Sequence, residues 1–156
     1  MTTRTSALAA SSILGAARVA LGVLWLHEGY VKFHAGFGKA DILLVAYGAK
    51  NNTRIPGYFE FFADHLLRPM ADLAGIVVPI IEVGLGVALI LGIFTLPVAL
   101  GSLFNLLTYW CSDQLVGQYP IMGALSGVLL VWSTQASRFS LPQWVRSRTN
   151  EGAVHA

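Results

Sequence analysis

The stretch Ala17–Phe33, ARVALGVLWLHEGYVKF, is apolar enough to enter a bilayer and yet carries Arg18, His27, Glu28 and Lys32. A charged group near the middle of a span costs about 2.5–3.5 kcal/mol on insertion scales, so each one needs a partner inside the protein. Glu28 and Lys32 stand four residues apart with the acid first, the order in which a helix brings carboxylate and ammonium together. Arg18 has no acid within four residues. Its counter-charge has to come from another segment, and that requirement limits how the chain can fold.

The rest of the sequence agrees with a lipid solvent. With 55% apolar and 12% charged residues the chain reads as an integral membrane protein in contact with the bilayer. Apolar stretches at about 8–33, 69–94, 97–111 and 119–132 alternate with segments too polar to cross, and the tail from 133 to 156 is polar and basic. About 20 apolar residues suffice for a helix to span. The third and fourth stretches are short and need shielding by neighbours or by the loop. The expected fold is therefore all-α, an integral membrane four-helix bundle forming a single transmembrane domain. Residues 34–68 form a long extramembrane loop in this reading, with a short helix at Asp41–Tyr47 and a turn at Pro56-Gly57. An amphipathic helix follows, in which Tyr58, Phe59, Phe62, Leu66 and Leu67 share a face. That helix suits either the headgroup plane or the mouth of the bundle. Gly15, Gly22 and Gly29 recur every seven residues on one face of the first span, where small residues let another helix approach.

The second apolar stretch contains Glu82 near its centre. If the first span rises while the second descends, Arg18 and Glu82 both fall within about one helical turn of mid-membrane, which predicts a buried ion pair. Such a pair either locks two helices or lines a ligand or proton path. His27, Glu28 and Lys32 gather near the outer end of the first span, where Trp110 also falls. An apolar wall with a histidine, lysine or acid at its rim suits a quinone headgroup. The same residues also read as interface anchors.

Other function classes lack their residues. The ten Lys and Arg are scattered singly, with no basic stripe for nucleic acid. Cys111, the single cysteine, excludes an intrachain disulfide or a Cys-x-x-Cys pair. No His pair stands at i, i+4 spacing, so no metal site is expected, and no covalently bound cofactor. Phosphate loop, nucleophile elbow and paired-acid patterns are missing, so no self-sufficient catalytic site is assigned.

Three segments carry a resemblance. ARVALGVLWLHEGYVKF resembles the Arg-x-x-Leu-Gly…Gly-x-x-Lys first helix of the DoxX-like family of small four-helix membrane proteins. EVGLGVALILGIFTLPVAL, from Glu82, is similar to that family's second-helix motif, an acid followed by a Gly-rich run and a Leu-Gly-x-x-Thr turn. SRFSLPQW, from Ser137, is similar to its closing Gly-Arg-x-Ser-Leu-Asp sequence, with Ser137 in place of the Gly and Pro142 in place of the Asp. The resemblance implies a membrane subunit that works beside quinone and a partner oxidoreductase, as the DoxD subunit of thiosulfate:quinone oxidoreductase does. Two other classes stand beside it, a structural anchor or assembly subunit of a larger complex and a small transporter.

Four spans put both termini on one side. Lys and Arg divide evenly between the terminal segments (Arg4, Arg138, Arg146, Arg148) and the long loop (Lys39, Lys50, Arg54, Arg68), but the connection between the third and fourth spans has none. The positive-inside rule then puts the termini in the cytoplasm of a bacterial-type inner (plasma) membrane. Reporters fused at Gly48 and at Ala153 are expected on opposite faces of the membrane, and activity on the same face would refute four crossings.

Overall fold

The computed structural model describes residues 2–114 and 117–142, with side chains from Ser6 onward; Arg146, Arg148 and the rest of the basic tail lie outside them. Among the described residues the chain is helical throughout, with helices α1 (Thr2–His34), α2 (Lys39–Asn51), α3 (Gly57–Phe62), α4 (Ala71–Leu91), α5 (Thr95–Cys111), α6 (Tyr119–Val131) and α7 (Ser133–Ala136). A π-helical turn, Ala63–Leu67, continues α3. α1 packs along α4, α5 along α6, and the two pairs meet through contacts of α1 with α6 and of α4 with α5.

The faces of these helices are sorted for lipid. On α4, Leu73, Ile76, Val77, Ile80, Ile81 and Val87 are exposed, whereas Ala71, Gly75, Pro79, Glu82, Gly86 and Leu89 are buried. α5 repeats the pattern, exposing Leu96, Leu100, Phe104, Leu107 and Trp110 and burying Thr95, Ala99, Ser102, Leu106 and Tyr109. Large apolar side chains outside and small or polar ones inside suit a helix solvated by hydrocarbon, where packing and internal hydrogen bonds replace the hydrophobic drive. α1, within Ser6–His34, and α4 are long and apolar enough to cross, and only 28% of each apolar window is buried. A core helix of a soluble domain would be mostly covered. α5 and α6 are apolar but shorter.

The interior holds polar links as well as apolar packing. Trp25, Leu21, Leu89, Met122 and Leu129 form the middle of the main core. Within it Trp25 Nε1 donates to Ser102 Oγ at 2.7 Å, and Ser102 and Ser126 share a hydrogen bond at 2.8 Å. α1, α5 and α6 are thus tied at one level by groups that have no water to turn to.

The segment read from sequence as a long loop with one short amphipathic helix is more structured than expected. α2 runs beyond Tyr47 to Asn51, starts where Gly38 N–H donates to Asp41 Oδ2 at 2.9 Å, and packs on α4. Its Ala46 and Ala49 join Phe59 and Ala63 in a second small apolar cluster, against which Ile55, Phe62, Leu67 and Cys111 pack. The short α5 ends at Cys111, so the α2–α3 unit closes over its end. Arg54 and Asn52 fasten that cap to Asp113 at 3.3 and 2.9 Å.

The register of α1 on α4 is set by glycine. A Cβ on Gly22 would lie 2.9 Å from Gly86 O and 2.8 Å from Ile90 Cγ1; one on Gly29 would lie 2.6 Å from Val83 Cγ2. Gly15 is different, with nothing nearer than Phe139 Cδ2 at 4.0 Å. Replacing Gly22 or Gly29 by Leu is expected to destabilise the protein by about 1–3 kcal/mol or more, as overpacking does. Gly84→Leu, at a site with open space, should leave thermal unfolding in detergent nearly unchanged. Equal melting of all three variants would remove the close α1–α4 contact from the account.

Candidate functional site: a shared-lysine carboxylate network

With Gly22 against Gly86 and Gly29 against Pro79 and Val83, antiparallel α1 and α4 bring Glu28 level with Glu82. Lys32, one turn beyond Glu28, reaches both acids: its Nζ is 2.6 Å from Glu82 Oε1 and 3.4 Å from Glu28 Oε2. α5 adds Tyr109, whose hydroxyl donates to Glu82 Oε1. α6 adds Tyr119 at its first residue, whose hydroxyl donates to Glu28 Oε2 at 2.8 Å, and Gln118 Nε2 donates to Glu28 Oε1. The two phenol rings stack with centroids 5.1 Å apart. Lys32 Nζ also sits 5.1 Å from the Tyr109 ring centroid and 5.9 Å from that of Phe37, within the range of a cation–π contact. α1, α4, α5 and α6 therefore each contribute a side chain.

The network holds two carboxylates on one ammonium. Glu82 is fully buried, Glu28 is 9% exposed, and Glu82 Oε2 has no hydrogen-bond partner among the described residues. Phenol and amide donors satisfy the other carboxylate oxygens without adding charge. The result is a continuous chain of hydrogen bonds from Tyr109 through Glu82, Lys32 and Glu28 to Tyr119. Two carboxylates and an ammonium, rather than neutral groups alone, distinguish this cluster from a neutral interhelical clasp.

The Arg18–Glu82 ion pair expected from sequence does not form. Gly92 at the end of α4 lies against Arg18, so that a Cβ there would land on Arg18 Nη1. Glu82 is ten residues away along α4, about 15 Å at the rise of an α-helix. Depth counted from the middle of each apolar run differs from the observed register because α1 extends well past the end of α4, where Ala7, Ala10, Ser11 and Leu14 lie beside Val128 of α6 and Gln135 of α7. Arg18 is 2% exposed and donates from Nη2 to Phe139 O at 3.1 Å instead.

Of the ligand candidates read from sequence, Glu28 and Lys32 are in the network. His27 is exposed, apart from it on α1. Trp110 is 65% exposed on the outer face of α5, where it lines a groove of about 450 Å³ with Leu103, Leu107, Gly123, Ala124 and Tyr119. That groove and the network meet at Tyr119. Sequence reading missed Tyr109, Tyr119 and Gln118. A signal was present in the seven-residue spacing of Thr95, Ser102 and Tyr109, all buried on one face of α5, and of Tyr119 and Ser126 on α6.

A protein-family model described as DoxX matches residues 13–112, from the start of the second third of α1 to just past the end of α5. That span includes Glu28, Lys32, Glu82 and Tyr109. No curated protein and no solved structure gives a significant match to the chain.

Removing one partner of a buried pair typically costs about 3–5 kcal/mol, while removing both can be nearly neutral. Lys32→Met is accordingly expected to lower the unfolding temperature in detergent sharply, and Lys32→Met with Glu82→Leu to recover part of the loss, since Glu28 then keeps only its neutral donors Tyr119 and Gln118. Arg18→Gln and Glu82→Leu should instead add within about 0.5 kcal/mol, as separated sites do. Strong coupling between Arg18 and Glu82 would mean that the α1–α4 register is wrong.

Proposed function

Because the chain belongs to the DoxX family, a family of membrane proteins, we propose that it is a four-span inner-membrane subunit, termini cytoplasmic, that binds a quinone and works with a partner oxidoreductase. The observation that carries this reading is the meeting of the apolar groove with the carboxylate–lysine network at Tyr119. The groove walls are apolar and aromatic, as a quinone ring and its tail require, and the groove lies within the size range of small-molecule sites. A quinone supplies two-electron chemistry coupled to two protons.

The residues fit that group in a specific way. Leu103, Leu107, Trp110, Gly123 and Ala124 would hold the ring and the start of the tail, with Gly123 leaving room where no atom lies within 4 Å of its would-be Cβ. Tyr119 forms the polar end of the wall. Its hydroxyl donates a hydrogen bond to Glu28, and Glu28 is joined through Lys32 to Glu82. Protons released at the groove are thereby within reach of two carboxylates, and the electrons belong to the partner. His27, named from sequence as a headgroup contact, has no part in this arrangement.

A second reading keeps the membrane subunit without the quinone. Gly84, Gly123 and Gly127 have open space around them, and small residues on outward helix surfaces suit docking of another membrane helix. In that reading the chain is an anchor for a larger complex.

Titration of the purified protein with a soluble ubiquinone analogue, read by quenching of tryptophan fluorescence, separates the two. Saturable quenching is expected, since Trp110 lines the groove. Gly123→Leu, which fills the groove, should weaken binding at least about tenfold, a loss of 1.4 kcal/mol, without lowering the unfolding temperature. Absence of saturable binding, or identical binding by the filled variant, would leave the anchor reading.

A further inference from the structure

Arg18 is the buried charge that the network leaves out. It is 2% exposed, and only Nη2 has a partner, the carbonyl of Phe139. Nε and Nη1 have none, and no acid among the described residues pairs with it. The charged group nearest in sequence on the segment covering it is Arg138, a second cation, exposed next to Phe139. A guanidinium kept from water without a counter-ion is strongly unfavourable, so this part of the fold calls for an anion.

The surroundings say which kind. Arg18 lies in a groove of about 580 Å³ whose other walls are Ser12, Gly15, Ala16, Val19 and Ala20 of α1 and Phe139. Apart from Ser12, whose hydroxyl is hydrogen-bonded to Leu8 O, those walls are apolar, and Ala16, Val19, Ala20 and Phe139 are exposed. Gly15 lies beneath the Phe139 ring, where a Cβ would stand 4.0 Å from Phe139 Cδ2. The groove is level with Gly92, where α4 ends. α4 spans about 30 Å, the thickness of the hydrocarbon core, so its end falls at the depth of the headgroup phosphates.

We propose that this groove is a binding site for an anionic phospholipid, with its phosphate on the Arg18 guanidinium and the start of an acyl chain along Val19 and Ala20, on the side of Arg18 that leads into the hydrocarbon. A phosphate is the anion whose geometry the planar guanidinium fork matches, and basic pockets between helices on the cytoplasmic side of membrane proteins hold lipid headgroups. Free phosphate would satisfy the charge but would leave the apolar walls without a role. The site is separate from the Tyr119 groove and does not depend on the quinone reading.

The test uses full-length protein in nanodiscs of phosphatidylcholine with and without phosphatidylglycerol, released for native mass spectrometry at low salt. Phosphatidylglycerol should be retained over phosphatidylcholine by about fivefold, the ratio that ~1 kcal/mol for one basic residue corresponds to. Arg18→Gln should abolish the preference. Ala16→Phe, an exposed substitution that fills the groove while leaving the guanidinium in place, should abolish it too, and it decides the matter if Arg18→Gln does not fold. Equal retention of both lipids by the native protein, or an undiminished preference in Ala16→Phe, would overturn the proposal. So would inorganic phosphate stabilising the detergent-purified protein against heat as much as phosphatidylglycerol does, since that outcome assigns the site to a free anion.

Discussion

One ammonium group shared by two buried carboxylates governs the arrangement of this protein. Lys32 reaches Glu28 on its own helix and Glu82 on the facing one, and neither acid can be left in hydrocarbon without it. The remaining oxygens draw in Tyr109 and Tyr119, so α5 and α6 are bound to the same point. A buried ion pair is not by itself a source of stability, because desolvation offsets the attraction. Its value is in specification. A helix rotated or slid by one turn would strand a charge, so the network disfavours every alternative packing of the four long helices.

That network forms only because α1 and α4 approach so closely. Gly22 and Gly86 face one another, and each would clash with the other's backbone oxygen if it carried a Cβ, at 2.9 and 2.8 Å. Ridges of larger side chains would hold the helices further apart and put Lys32 out of reach of Glu82. The glycines and the charges are therefore parts of one device: the first sets distance and register, and the second makes that register the one satisfied state. The Trp25–Ser102–Ser126 links repeat the device at another level, with neutral donors.

The two ends of the bundle differ in chemistry. Near the network the α2–α3 cap covers the end of α5, and the lipid-side groove beside Trp110 leads to Tyr119. At the other end α1 continues past the turn at Gly92, and the segment after α7 folds back so that Phe139 covers Arg18. A DoxX-family membrane protein of this size thus separates a cluster of ionisable groups among its helices from a buried cation that has no acidic partner among the described residues.

Much of this was already written in the sequence. Charged residues in apolar runs, the Glu28–Lys32 spacing and the small-residue stripe are local properties, and they determined an all-helical membrane protein with its first helix bonded to itself at one point. Outward-facing Leu, Ile and Phe at helical spacing needed no tertiary information, because lipid makes the same demand of every helix. The partner of Glu82 was a different kind of question. Arg18 and Lys32 are both cations of α1, fourteen residues apart, and which one meets Glu82 depends on how far α1 slides along α4. That offset is fixed by steric contact at Gly22, Gly29 and Gly86, which the spacing of glycines on α1 alone cannot supply. The phenols were hidden for the same reason: Tyr109 and Tyr119 sit at helix ends, where sequence suggests interface anchors, and only the shortness of α5 and α6 beneath the cap places them against the carboxylates. Sequence by itself determined what each helix must bury; tertiary structure decided who meets whom, because a contact between helices is a sum of two registers and neither helix carries the other's.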